Sequence, residues 1–172
     1  MTIDYGPPPP DEAEIMGQLH SDCWLETYAG LMDEEEILQH GPAARAQLWR
    51  RIIADDAVLK LVAYDAGRPV GFVVSGAARP PASAFADGEI RALYLRRAYQ
   101  GRGMGRHLFG VARDDWARRG GQRLAALVLA GNRRARQFYV RMGGREVGTV
   151  PAQADRPGLE EIACVFAVGA GF

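Results

Sequence analysis

The eight residues "YQGRGMGR", Tyr99 to Arg106, set Gly101, Gly103 and Gly105 among Gln100, Arg102, Met104 and Arg106. Glycines at this density leave backbone N–H groups bare, with no Cβ between them and an anion. A strand-like run, "EIRALYL" from Glu89 to Leu95, precedes the loop. Met104, Leu108, Val111, Ala112 and Asp115 follow at helical spacing. Strand, glycines and helix is an arrangement in which a helix N-terminus offers unpaired amides and the positive end of its dipole to a phosphate. A solvated turn rich in Gly and Arg is the plainer reading of the eight residues alone. Two familiar phosphate loops do not fit. The nucleotide P-loop needs a Lys after its last glycine, and the dinucleotide fingerprint counted from Gly101 puts Arg106 where a third glycine belongs.

The elements that must position this loop are legible along the chain. "GPPPP" at residues 6–10 is an extended lead-in that cannot be helix, and residues 1–10 as a whole are expected to be extended or mobile. Asp11 and Glu14 have the spacing of a capping box, and Ile15, Leu19, Cys23 and Trp24 then recur as a helix ending near Gly30. Further helices are expected from about Asp33 and from Pro42, the latter with Leu48, Ile52 and Ile53 on its inner side. "VLKLVAY" and "PVGFVVSGA" read as a β-hairpin across "DAGR". "RLAALVLA" reads as a buried strand, Asn132 as the start of a helix stopped by Gly143 and Gly144, and "REVGTV" and "EIACVFAV" as final strands around a loop at Pro157.

Composition narrows the class. With 172 residues, 48% apolar and 24% charged, the chain fits one soluble globular domain. No apolar run approaches the roughly 18 residues of a membrane-spanning helix. The start lacks the pattern of a secretion signal, so a cytoplasmic location is expected. Cys23 and Cys164 have no metal-ligand spacing, and neither do His20, His40 and His107. Charge is segregated: residues 1–40 hold ten acids and no Lys or Arg, while residues 91–145 hold fourteen arginines against Asp114 and Asp115. One surface thus suits an anion and another tolerates or recruits a cation.

Gln100-x-x-Gly103-x-Gly105 resembles the coenzyme A signature of the GNAT superfamily of N-acetyltransferases. "LYLRRAYQGRGMGRHLF" is similar to that family's central strand, loop and helix, and "LVLAGNRRARQFYVRMGG" to its following strand and helix. One departure is Gly144, where an aromatic usually closes the second motif. The resemblance implies a single α/β (α+β) domain over 1–172, with a mixed, mostly antiparallel sheet splayed between strands 4 and 5 and helices on both faces. Acyl-CoA would lie in the splay, paired with the backbone of Leu93, Tyr94 and Leu95, the Leu95 amide polarising the acetyl carbonyl. Gln100, Gly101, Arg102, Gly103, Met104, Gly105 and Arg106 would hold the pyrophosphate.

Asn132 matches the position beside the pantetheine arm, with a helix N-cap as its other role. Tyr139, seven residues later, matches the tyrosine that protonates the departing thiolate. A phenol titrating near pH ~10 can donate to a thiolate whose thiol titrates near ~8.5. Glu89 stands where some relatives carry the general base. Trp24 and Tyr28 would border the acceptor. The implied reaction is acetyl transfer from acetyl-CoA, as co-substrate and without a metal, to a primary amine of a small molecule or peptide. No nucleic acid or membrane partner is implied, and a homodimer is compatible. A longer acyl-CoA and a non-catalytic acyl-CoA sensor remain the alternatives, and intact Tyr139 and loop argue against the sensor.

Overall fold

A computed structural model describes residues 2–152 and 158–168, so the expected loop at Pro157 lies outside the described residues. The helical periodicity near the start becomes α1, Ala13–Tyr28, followed by α2, Glu34–Gln39, and α3, Pro42–Ala54. Pro42 opens α3 at a position where its missing N–H costs nothing. Within the lead-in segment lies β1, Ile3–Gly6, and the strand-like runs become β2, Leu59–Asp65, β3, Arg68–Ala77, and β4, Gly88–Leu95. Then come α4, Met104–Arg118, β5, Arg123–Leu129, α5, Arg133–Arg141, β6, Arg145–Pro151, and β7, Glu160–Ala167.

The seven strands form one sheet in the order β1-β2-β3-β4-β5-β7-β6. β4 and β5 run parallel, with Gly88, Glu89 and Ile90 registered against Leu124, Ala125 and Ala126, at the beginning of β4. β7 lies antiparallel to both β5 and β6. This is the mixed, mostly antiparallel sheet that the sequence leads one to expect.

The lead-in segment departs from expectation in detail. Residues 3–6 are a registered strand, pairing Ile3 with Asp65 through Gly6 with Val62. The capping box does not form: α1 starts one residue after Glu12, and no side chain caps it. Tertiary partners take the acids instead. Glu12 accepts from the Tyr64 hydroxyl at 3.0 Å, and Glu14 pairs with Arg50.

Two compact units make up the described chain: Met1–Val74 with Ala92–Phe109, and Ser75–Arg91 with Gly110–Phe172. In the first, Met16, Leu19 and Cys23 of α1 and Trp49 of α3 pack on Val62, Phe72 and Val74. Trp49 takes the inner position expected for Leu48, while Ile52 and Ile53 pack against the same core as expected. The alternate strand residues Ala63 and Val73 are also buried, so both faces of this part of the sheet are covered. α1 and α3 touch at Gly17, where a Cβ would come 2.6 Å from the Ala46 nitrogen and 2.8 Å from the Pro42 carbonyl oxygen. Backbone cannot yield as a side chain can. Gly17→Ala should therefore cost about 1–3 kcal/mol, the range for overpacking, despite alanine's better helix propensity. A urea-unfolding midpoint equal to that of the parent chain would refute this.

In the second unit, Asp87 ties the start of β4 to the start of β5. Its carboxylate accepts from the Gln122 and Arg123 amides at 2.8 and 2.7 Å. Burial alone would raise its pKa, but these bonds outweigh it and hold the carboxyl below its usual range. Trp116 of α4 packs so closely on Gly88 and Gly121 that a Cβ at either would lie within 2.4 Å of the indole. A Cβ at Gly144 would lie 2.4 Å from Cys164 Sγ and 2.6 Å from Phe166 Cε1. Phe166, arriving from β7, fills the space that an aromatic at 144 would need.

Candidate active site

In the first unit, the glycine loop joins β4 to α4. Gly101 and Gly103 have φ of +77° and +87°, and a Cβ at either would meet no atom within 4 Å. They are glycine for backbone conformation, not for space. The His107 amide donates to the Gly103 carbonyl at 3.0 Å, which makes Gly103 the cap of α4. The amides of Gly103, Met104, Gly105 and Arg106 consequently head the helix without acceptors inside it.

Just past β4, the Arg96 amide donates to the Val70 carbonyl at 2.9 Å, toward β3. Alternation along a strand directs the backbone groups of Leu93 and Leu95 the other way. Gln100 Nε2 donates to the Leu95 carbonyl at 2.9 Å, closing the loop back onto the strand. The Gln100 side chain thus shapes the loop from inside.

Trp24 and Tyr28 are buried, and their rings lie 4.9 Å apart. The Tyr28 hydroxyl shares a hydrogen bond of 2.8 Å with that of Tyr94, so the Tyr94 side chain faces α1 while its backbone belongs to the strand. Arg45 lies 4.0 Å over the Trp24 ring, and the His40 ring is tilted against it with centroids 4.7 Å apart. His20 sits among Trp49, Phe72 and Tyr94. Burial, reinforced by the charges of Arg45 and His40, pushes its pKa well below the usual value, which keeps the imidazole neutral. Burial likewise pushes the Cys23 thiol up to about 12, and Cys23 and Cys164 are both free.

The second unit holds Glu89, Asn132 and Tyr139. Glu89 is buried, and its two oxygens accept from Arg79, Oε1 from Nε at 2.7 Å and Oε2 from the amide at 3.2 Å. Arg91 Nε approaches Oε1 at 3.4 Å. Asn132 caps α5, its Oδ1 accepting from the Ala135 amide at 3.2 Å. Capping engages only the oxygen; the Nδ2 donor belongs to the other end of the side chain. Tyr139 is buried beside Phe138 and Phe166, at 5.1 and 5.8 Å between ring centroids.

Sequence reasoning passed over Asp22, Glu26, Arg96 and Arg97, whose side chains join α1 to the end of β4. The signal was present as acids spaced i, i+4 on α1 and an Arg pair closing β4. Among the described residues, no group of three His, Cys, Asp or Glu could hold a metal ion. Among them also, no helix is long and apolar enough to cross a membrane.

The family profile described as Acetyltransferase (GNAT) family matches residues 14–144, well over half of the chain. No curated protein sequence is similar enough to count as a relative. Solved structures share the fold at low identity. PaiA N-acetyltransferase from Thermoplasma acidophilum, in complex with coenzyme A, is 18% identical with a TM-score of 0.75, covering 97% of this chain and 99% of that one. NAA60 from Arabidopsis thaliana, in complex with a bisubstrate analogue, is 17% identical with a TM-score of 0.74, covering 99% and 100%. A GCN5-related N-acetyltransferase from Rhodopseudomonas palustris is 21% identical with a TM-score of 0.74, covering 98% and 97%.

Proposed function

The chain belongs to the acetyltransferase (GNAT) family, and on that footing we propose that it moves an acetyl group from acetyl-CoA to a primary amine by direct attack in a ternary complex. One observation carries the reading: two left-handed glycines set the amides of Gly103 to Arg106 at the head of α4. That arrangement suits a pyrophosphate, and Arg102 and Arg106 add charge. The pantetheine arm runs along the side of β4 that Leu93 and Leu95 face with their backbone groups, and the Leu95 amide polarises the thioester carbonyl. Asn132 Nδ2 donates to the same arm.

The amine nitrogen attacks the carbonyl carbon, the C–S bond breaks, and the thiolate takes a proton from the Tyr139 hydroxyl. Glu89 takes the proton that the amine loses, directly or through water, exchanging its Arg79 partner to do so. Arg79 can leave, because its side chain is 57% exposed. Trp24 and Tyr28 border the acceptor, a small molecule or a peptide amine. Holding thioester and amine together supplies much of the rate.

The test is release of free CoA thiol from acetyl-CoA across a panel of amines, with calorimetry of CoA alone beside it. Thiol release that needs both acetyl-CoA and an amine is the expected result. Failure to bind CoA would overturn the reading.

A further inference from the structure

We propose that Asp22 and Glu26 of α1 are positioning residues for the cofactor: by gripping Arg96 and the Arg97 amide they fix the exit of β4 and the start of the glycine loop. The proposal rests on the acetyltransferase reading and adds to it a device that the loop motif does not contain.

Arg96 directly follows Leu95, and two carboxylates one helical turn apart share its guanidinium. Nη1 donates to Asp22 Oδ2 at 2.8 Å and Nε to Glu26 Oε1 at 2.9 Å. Glu26 spends its other oxygen on the backbone: the Arg97 amide donates to Oε2 at 2.6 Å. That amide opens the 3-10 turn Arg97–Tyr99, so a carboxylate sits where the turn has no acceptor of its own. Arg97 answers in kind, Nη2 donating to the Glu26 carbonyl at 2.5 Å near the end of α1, where a cation is favoured.

The grip carries through to the loop. Tyr99 donates to Asp65 Oδ2 at 2.8 Å, and Gln100 to the Leu95 carbonyl at 2.9 Å. Arg96, Arg97, Tyr99 and Gln100 are thus each tied down. The first residue beyond is Gly101, where the left-handed backbone begins. A short, stiff segment therefore separates the carboxylates of α1 from the amides that head α4. The pairs are partly shielded, with Asp22 32%, Glu26 25% and Arg96 37% exposed, so water screens them less than a surface pair.

Charge explains why the chain would build this. Arg96, Arg97, Arg102 and Arg106 lie within eleven residues of a site for a polyanion. An unclaimed Arg96 or Arg97 could fold onto the phosphates and pull the loop out of shape. Asp22 and Glu26 claim that pair. Amides held ready in the free protein bind more tightly, because less ordering is left to binding.

The experiment uses the full chain, CoA as the calorimetric probe, and the variants Glu26→Gln, Arg96→Met and their combination. Glu14→Gln, which breaks the Arg50 pair on the same helix, is the control. Each single variant should weaken CoA about ten-fold, and the double variant should weaken it by less than the product of the two, because the singles share the Arg96–Glu26 pair while the Asp22–Arg96 pair and the Arg97 amide bond to Glu26 are lost separately. KM for acetyl-CoA should rise with kcat unchanged at saturation, a split that general loosening of the fold would not give. Glu14→Gln should bind CoA as the parent does. Parent-like affinity in both Glu26→Gln and Arg96→Met, or a fall in kcat at constant KM, overturns the proposal while the acetyltransferase reading stands. A parent chain that does not bind CoA overturns both.

Discussion

Tyr139→Phe should lower kcat about a hundred-fold, at the low end of what losing a general acid costs, and should leave acetyl-CoA affinity within a factor of about two. In the proposed mechanism the hydroxyl acts as the C–S bond breaks, so its loss would be felt in the transition state and not in the bound ground state. Phenylalanine preserves the packing, since Tyr139 lies between Phe138 and Phe166 at distances that depend on the ring. Glu89→Gln tests the other end of the reaction. It keeps an acceptor for Arg79 but cannot take a proton, so kcat should fall while the folded fraction holds. Parent-like turnover in Tyr139→Phe, measured as thiol release at saturating acetyl-CoA and amine, would remove Tyr139 from the reaction and leave water as the acid.

What the sequence disclosed, it disclosed through local chemistry. The helical periods of α1, α3 and α4, the hairpin at Ala66 and Gly67, and the stop at Gly143 depend on residues within a few positions of one another. So does the loop motif, whose glycines were legible because backbone conformation is a local demand. What it concealed was long-range. Asp11 and Glu14 had the spacing of a capping box, yet Glu14 is drawn to Arg50 across to α3, a competition no window of ten residues contains. The strand at Ile3–Gly6 owes its existence to β2, not to its own composition. Gly144 read as a defect in a motif, and only Phe166 from β7 shows it to be a fit.

The segregated charge was legible as a total and misleading as a surface. Part of the acidic first forty residues serves arginines: Asp22 and Glu26 hold Arg96, and Glu14 holds Arg50. Glu34, Glu35 and Glu36, in the first turn of α2, stand where a helix dipole favours acids. A field that draws cationic acceptors would have to come from these three more than from the ten counted together.

Gly103→Val should abolish measurable CoA binding, a loss of at least about a hundred-fold, with the fold retained. Gly103 has φ of +87°, a conformation that a β-branched residue does not adopt without strain. Open space around its Cβ position means that the cost is not a clash. The strain of about 1–3 kcal/mol can be relieved locally by rotating the backbone out of the left-handed region. That rotation would reorient the Gly103 and Met104 amides, which the proposed function assigns to the pyrophosphate. Stability should suffer little, because the residue is exposed. Gly120 supplies the control: its φ is +83°, a Cβ there also meets nothing within 4 Å, and it follows α4 at the end opposite the loop. Gly120→Val imposes the same backbone strain and should leave CoA affinity unchanged. Equal losses in both variants would mean that the effect travels through general destabilisation. Parent-like affinity in Gly103→Val would mean that the helix-head amides do not hold the phosphates, and the observation that carries the proposed function would go with them.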